Sequence, residues 1–268
     1  MRIRYDRFPG GRMKAVTLSY DDGRENDRML VAKMNDYGLK GAFHLNSGFF
    51  GKPGYINAEE VSTLYAGQEV SSHTAAHPHL DLIPPDRMVM EIMEDRNALE
   101  ELTGCPVRGM SYPYGSWNER VVSALPGLGI EYARTTNSTH TFAMPSDFLQ
   151  WHPTCHHKQM LEFGEKFLSD TPRHARMALF YVWGHSYEFD RDRNWNILEQ
   201  FGELVGRHSD IWYATNSEII AYMNALRQLR CSVSGHILHN PSAMSVWIEV
   251  EETAIEIRPG EIKNLNAD

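Results

Sequence analysis

Four short stretches concentrate the residue types that hydrolytic chemistry uses. The first is Ser19-Tyr20-Asp21-Asp22-Gly23, two adjacent carboxylates at the end of an apolar run. Close carboxylates repel, so one must be neutralised or hold a cation. Neighbours in an extended chain face opposite ways, and a turn at Gly23 is needed to bring both acids into one cleft. A helix cap with a solvated partner explains the pair equally well on residues alone. The second stretch is Ser72-His73-Thr74-Ala75-Ala76-His77-Pro78-His79. Histidines four apart on a helical turn share one side and can hold one metal ion. Thr74 stands where a zincin helix carries glutamate, Pro78 cuts the tract to a loop or single turn, and His79 breaks the spacing. A surface pair is the plainer alternative. The third, Ser111-Tyr112-Pro113-Tyr114-Gly115, combines a stiffening proline with a glycine that permits close backbone approach. Such a loop can aim an N–H at a developing oxyanion, or it can simply pack. The fourth is Val182-Trp183-Gly184-His185-Ser186, where a histidine leaves an apolar strand in position to act as a general acid. A satisfied core histidine is the default there. No G-x-S-x-G elbow exists to make Ser186 a nucleophile.

The elements that must position these residues alternate between strand and helix. Apolar runs predict strands over 13–20, 41–45, 68–72, 107–112, 129–136, 177–183 and 211–214. Between them, helical spacing predicts helices over 25–37, 57–66, 118–125, 159–168 and 195–205, and one from Thr215 to about Leu229. Pro84-Pro85 opens a further long helix whose apolar face is Met88, Ile92, Leu99 and Leu102, and Gly104 stops it. Seven strands separated by helices argue for a parallel sheet, closed or open. All four stretches then fall at strand C-terminal ends, the face where such folds carry their sites. After about Gln228 the pattern changes to short strands over 229–234, 243–250 and 254–257 with turns between them. The expected organisation is a catalytic domain over 1–228 and a small β-rich extension over 229–268.

A length of 268 residues suits one α/β barrel plus an appendage. Lys and Arg number 26 against 35 Asp and Glu, a net charge of −9, which argues against nucleic acid or an anionic membrane as partner. No apolar run is long enough to span a bilayer. The opening residues Met1-Arg2-Ile3-Arg4-Tyr5-Asp6 carry no apolar signal core, and three scattered cysteines form no C-x-x-C pair. A reducing, cytoplasmic location is the expectation.

Taken in order, the four stretches resemble the motifs of the polysaccharide deacetylases of carbohydrate esterase family 4, the NodB-homology group. The family's T-F-D-D-G is here Ser19-Tyr20-Asp21-Asp22-Gly23, and its H-S/T-x-x-H is His73-Thr74-Ala75-Ala76-His77. Its R-x-P-Y/F is Ser111-Tyr112-Pro113-Tyr114, with the arginine replaced, and its late hydrophobic-His pair is Gly184-His185. The resemblance runs from about Met13 to Tyr222. It implies a distorted (β/α)7 barrel with, here, a small C-terminal β appendage. It implies one divalent ion, zinc first, with cobalt, nickel or manganese as alternatives, held by Asp22, His73 and His77. Asp21 would be the general base, Tyr114 the oxyanion donor through its backbone N–H, and His185 the acid that protonates the leaving amine. Thr74 would fix the metal loop, and Pro113 shapes the third motif. The family arginine that orients the base is absent, and Arg134 on the next strand is the candidate to replace it. Trp183 and Tyr187 are expected to wall the cleft, and Glu188 or Asp190 to tune His185. The stretch Trp151-His152-Pro153-Thr154-Cys155-His156-His157 has no family counterpart; it either lines the cleft, Trp151 stacking on a sugar, or forms a structural loop.

The implied activity is removal of N-acetyl groups from an amino-sugar oligosaccharide or polysaccharide, an N-acetylated carbohydrate being the partner. The alternatives are a metal-dependent C–N hydrolase or esterase on a non-polymeric substrate, and a degenerate glycan-binding domain. Ferrous oxygen chemistry uses the same ligand types, but its H-x-D/E pattern is missing.

Overall fold

The computed structural model describes residues 1–169 and 177–266. In chain order its elements are β1 (Ile3–Arg7), β2 (Lys14–Asp22), α1 (Asp27–Asp36), β3 (Gly41–Leu45), α2 (Val61–Leu64), β4 (Glu69–Ser72), α3 (Pro85–Thr103), β5 (Gly109–Ser111), α4 (Glu119–Ala124), β6 (Tyr132–Arg134) and β7 (Cys155–His156). They continue with α5 (Met160–Ser169), β8 (Ala178–His185), α6 (Tyr187–Arg191), α7 (Trp195–Val205), β9 (Ile211–Tyr213), α8 (Asn216–Arg227), β10 (Arg230–Cys231), β11 (Ile237–His239), β12 (Val246–Val250), β13 (Thr253–Ile257) and β14 (Ile262–Asn264).

Helix boundaries follow local chemistry. Pro85 opens α3, and Gly104 ends it with a left-handed φ of 67°. Asn118 caps α4 by accepting from the Val121 N–H, and Thr215 with Glu218 forms a capping box on α8. The run expected as one helix over 57–66 is a tight turn at Ala58–Glu60 followed by the single turn of α2. The short α6 and the N-terminal β1 were not legible in the periodicity.

The strands run β6-β5-β4-β3-β2-β8-β7, all parallel, and curl into a distorted (β/α)7 barrel. All five residues of β3 and most of β2 are buried, as strands covered on both faces must be. The stretch 151–156 runs between β6 and β8. The Trp151 N–H donates to Ala133 O at 2.9 Å, the Thr135 N–H donates to Trp151 O at 3.0 Å, and β7 then pairs with β8. The ring has the expected seven members, but one differs. Strand β7 is in it, while β9, expected as a barrel strand, lies off the path and pairs only with Lys14–Val16 of β2. From Leu18 onward that edge of β2 belongs to β3.

The remaining strands form two three-stranded sheets, β1-β12-β13 and β10-β11-β14. The N-terminal strand thus joins the C-terminal extension. Buried Val246, Ile248 and Ile257 share one apolar cluster with Ala214, Ile219 and Tyr222. Among the described residues no helix is long and apolar enough to cross a membrane. The cysteines are free.

Candidate active site

Strand register places the first acid. Parallel pairing sets Asp21 opposite His44 on one side and His185 on the other, so the three side chains share a face. Asp22 would point away by simple alternation. Its φ of 82°, followed by Gly23 at 66°, breaks the alternation and turns the second carboxylate toward the same cleft. Thr74 (φ 67°), His77 (φ 57°) and Tyr114 (φ 58°) are also left-handed. Such conformations cost roughly 1–3 kcal/mol each and persist only where the surroundings enforce them.

The donor atoms of Asp22, His73 and His77 converge. His73 Nε2 lies 3.8 Å and His77 Nε2 3.9 Å from Asp22 Oδ1, and the two imidazole nitrogens are 3.0 Å apart. A tetrahedral ion with bonds of about 2.0–2.2 Å separates its donors by roughly 3.3 Å, so the three atoms fit one centre. His73 Nδ1 sits 2.9 Å from the Ser111 carbonyl, a partner that fixes the ring and leaves Nε2 as the donor. Burial and the neighbouring His73 push His77 down to about 4, which favours the unprotonated ring a metal requires.

The loop carrying the two histidines hangs from a buried carboxylate that periodicity hides. Asp95 accepts from the Ser72 hydroxyl at 2.6 Å, the His73 N–H at 3.2 Å and the Ser47 N–H at 2.7 Å. Burial raises its carboxyl, against the pull of those donors. Asn46 Nδ2 donates to the carbonyls of His73 and Thr74. Thr74 Oγ1 accepts from the His77 N–H at 3.1 Å, which places Thr74 as a brace of the loop.

Asp21 is 2% exposed. The guanidinium of Arg134, itself fully buried, reaches across the barrel and donates to its Oδ2. The Ser111 hydroxyl donates to Oδ1 at 3.0 Å. Burial would raise this carboxyl, but Arg134, aided by His73, His44 and His185, overrides it and holds the group well below the usual carboxylate range. Trp183, expected as a cleft wall, lies beneath the Arg134 guanidinium with its ring centroid 4.7 Å away. His44 is wholly buried, neither nitrogen has a partner, and burial pushes it down to about 3, so it stays neutral beside the ion pair.

His185 is part-exposed, with Nδ1 3.5 Å from Glu188 Oε2. Burial lowers its basicity, but Glu188, Asp21 and Asp22 outweigh this and raise it above the ordinary histidine value. The structure separates the two acids that spacing left open: Asp190 accepts from the Trp195 indole at 2.6 Å and from Asn26. Tyr187 lies beside His185 with ring centroids 5.3 Å apart. Tyr114 follows Pro113 in a tight turn, sets its ring edge against His77 and stacks on His79 at 4.0 Å. His79, excluded on spacing, therefore joins this wall. Trp151 is 1% exposed and packs on Tyr132, Phe148 and Tyr181, so it is core and not a sugar platform. A cavity of about 650 Å³ lined by Lys40, Glu69 and Arg108 lies at the opposite, N-terminal end of the strands and contains none of these groups.

Two carboxylates, two loop histidines and a strand-end histidine thus meet at one mouth of the parallel barrel. Residues 9–133 match the family model of polysaccharide deacetylase. The Bacillus subtilis (strain 168) protein YxkH, a provisionally named polysaccharide deacetylase, is 23% identical over 125 residues, 46% of this chain and 45% of that protein. The chain thus spans under half the length of this curated relative. Among solved structures, a provisionally named polysaccharide deacetylase from Mycobacterium smegmatis superposes with a TM-score of 0.62 at 18% identity, over 82% of this chain and 93% of that one. A CE4 family pseudoenzyme from Bacillus anthracis gives 0.53 at 16% identity, over 80% and 66%. These likenesses establish the fold.

Proposed function

We propose that this chain is a metal-dependent hydrolase that removes acetyl groups from the amide nitrogen of an N-acetylated carbohydrate. The observation that carries the reading is the convergence of Asp22, His73 and His77 beside a second, separately clamped carboxylate. A divalent ion held by those three side chains would polarise the acetyl carbonyl and acidify the attacking water. Zinc suits the ligand set, and cobalt, nickel or manganese would serve similarly. Asp21 accepts the water's proton, since Arg134 and Ser111 keep it ionised and each oxygen retains a lone pair. The Tyr114 N–H, aimed by the Pro113 turn, would donate to the oxygen that gains charge. His185 carries its proton on the nitrogen facing the cleft, with Nδ1 directed to Glu188, and delivers it to the departing amine. Tyr187, His79 and Tyr114 supply aromatic faces for a sugar ring.

The test is acetate release from N-acetylglucosamine oligomers by protein as purified, after chelation, and after zinc is restored. Release that stops with chelator and returns with zinc is expected, as is its loss in His77→Gln. A fully metal-loaded protein that releases no acetate from any N-acetylated sugar, and instead binds the oligomers, would replace this reading with a glycan-binding one.

A further inference from the structure

A second set of imidazoles meets a carboxylate away from the Asp22 triad. His156 Nε2 lies 2.9 Å and His157 Nε2 3.4 Å from Glu188 Oε2. The three donor atoms lie within 4.8 Å of one another, as those of the first triad do. His157 is 1% exposed, and neither of its nitrogens has a hydrogen-bond partner. Its ring stacks on Phe189 at 4.3 Å. The berth for that ring depends on Gly184: a Cβ there would fall 2.2 Å from His157 Nδ1. Glu188 is 8% exposed; Oε1 takes Arg191 at 3.0 Å, while Oε2 faces the imidazoles.

An ordinary ion pair accounts for only part of this. His156 Nδ1 accepts from the Lys158 N–H at 3.3 Å, which directs the other nitrogen to Glu188. His157 gains nothing from that arrangement. A buried imidazole with two idle nitrogens costs free energy unless something meets it. Two imidazoles and one carboxylate whose donor atoms lie within 4.8 Å of one another are a ligand set for a borderline transition ion. Oε2 has lone pairs for an ion and for the His185 Nδ1–H together.

We propose that His156, His157 and Glu188 form a second divalent-metal site of the zinc class, which ties the barrel-closing strand β7 to α6 directly behind His185. The site shares no ligand with the Asp22 triad, and its existence does not depend on the deacetylase reading.

The full chain is stripped with chelator, titrated with cobalt and with zinc, and the bound metal counted by mass spectrometry after gel filtration. The wild type is expected to bind two equivalents. Glu188→Gln and His156→Gln should each bind one, His77→Gln one, and His77→Gln/Glu188→Gln none. His156 is part-exposed, so its variant keeps the test usable if Glu188→Gln does not fold; circular dichroism monitors each. A wild type that binds a single equivalent, lost in His77→Gln and kept in His156→Gln, overturns the proposal and leaves the deacetylase centre standing. Two equivalents retained in both His156→Gln and Glu188→Gln also overturn it. One equivalent lost in His156→Gln and kept in His77→Gln would sustain this site and remove the Asp22 triad as a metal centre.

Discussion

Asp21 is buried on the barrel axis with both oxygens engaged, and the residues engaging them replace an arginine that the related motif carries. Ser111 and Arg134 are direct partners in the β5–β6 register, so moving the guanidinium one strand along keeps its charge within reach of Asp21 while the small serine leaves it room. Arg134→Met should therefore remove two things. It leaves a buried carboxylate without its cation, which costs about 3–5 kcal/mol of stability. It also leaves burial as the dominant influence on Asp21, so the acid limb of the pH–rate profile moves to higher pH. Loss of a correctly ionised base lowers kcat by roughly 10²–10⁴-fold. Arg134→Lys keeps charge but not the planar fork over Trp183, and should restore the stability better than the rate. Acetate-release profiles from pH 4 to 9 and urea melts check both. An acid limb unchanged in Arg134→Met would mean that Asp21 is not the base.

The helices show what an element contributes beyond holding a barrel together. On α3, Asp95 falls on the stripe formed by Met88, Ile92 and Leu99, and a charged residue on an apolar face was the one available sign of its role. It takes three donors from the metal loop and the turn before it. Asp95→Asn keeps the size but offers a single acceptor oxygen, so at least one buried donor loses its partner, at about 1–3 kcal/mol. Metal affinity of the triad should fall about 10–100-fold, read by cobalt titration. On α1, Asp27 is wholly buried and its carboxyl is pushed up to about 7, chiefly by burial, with Asp22 and Asp21 adding to it against Ser186 and Tyr65. The folded state thus holds a proton that the unfolded chain releases near pH 4. That contribution to stability is complete below pH 4 and is lost as pH rises to about 7. Asp27→Asn should remove this slope and exceed wild type in stability above pH 7, measured by urea melts of chelator-treated protein. A wild-type stability flat between pH 4 and 7 would refute it. These cases also mark what could be read from the chain alone. The helix stop at Gly104, the helix start at Thr215, and the histidine and carboxylate stretches at strand ends were visible because one residue type or one short spacing encodes each. Strand β7 was not, since two residues carry no period, and the meeting of His44 and Arg134 with Asp21 depends on a register that no single stretch specifies.

At the scale of the molecule, the barrel and its extension share their apolar interior, and this sets what truncation should do. Leu238, Val246, Ile248 and Ile257 are fully buried, in one cluster with Ala214, which follows β9, and with Ile219 and Tyr222 of α8. Burial of four such side chains is worth roughly 6–12 kcal/mol as an upper bound. That is comparable to the whole net stability of a domain, about 5–15 kcal/mol. Polar contacts cross the same boundary. The Tyr222 hydroxyl donates to Arg7 O at 2.6 Å and accepts the Trp247 N–H at 3.0 Å. Glu249 of β12, 6% exposed, pairs with both Arg4 and Arg7 of β1. Ending the chain at Gln228 would take Glu249 from both arginines, leaving Arg7 with Asp6 alone, and would leave β1 without a partner strand and one face of α8 in water. The shortened chain is expected to be insoluble or to melt without cooperativity, and its metal binding and acetate release should both fall with the fold. Thermal melts followed by circular dichroism, beside solubility and bound metal, decide this. A chain of residues 1–228 that melts cooperatively within a few degrees of the whole protein would show that the extension is an accessory to the substrate cleft and not part of the core.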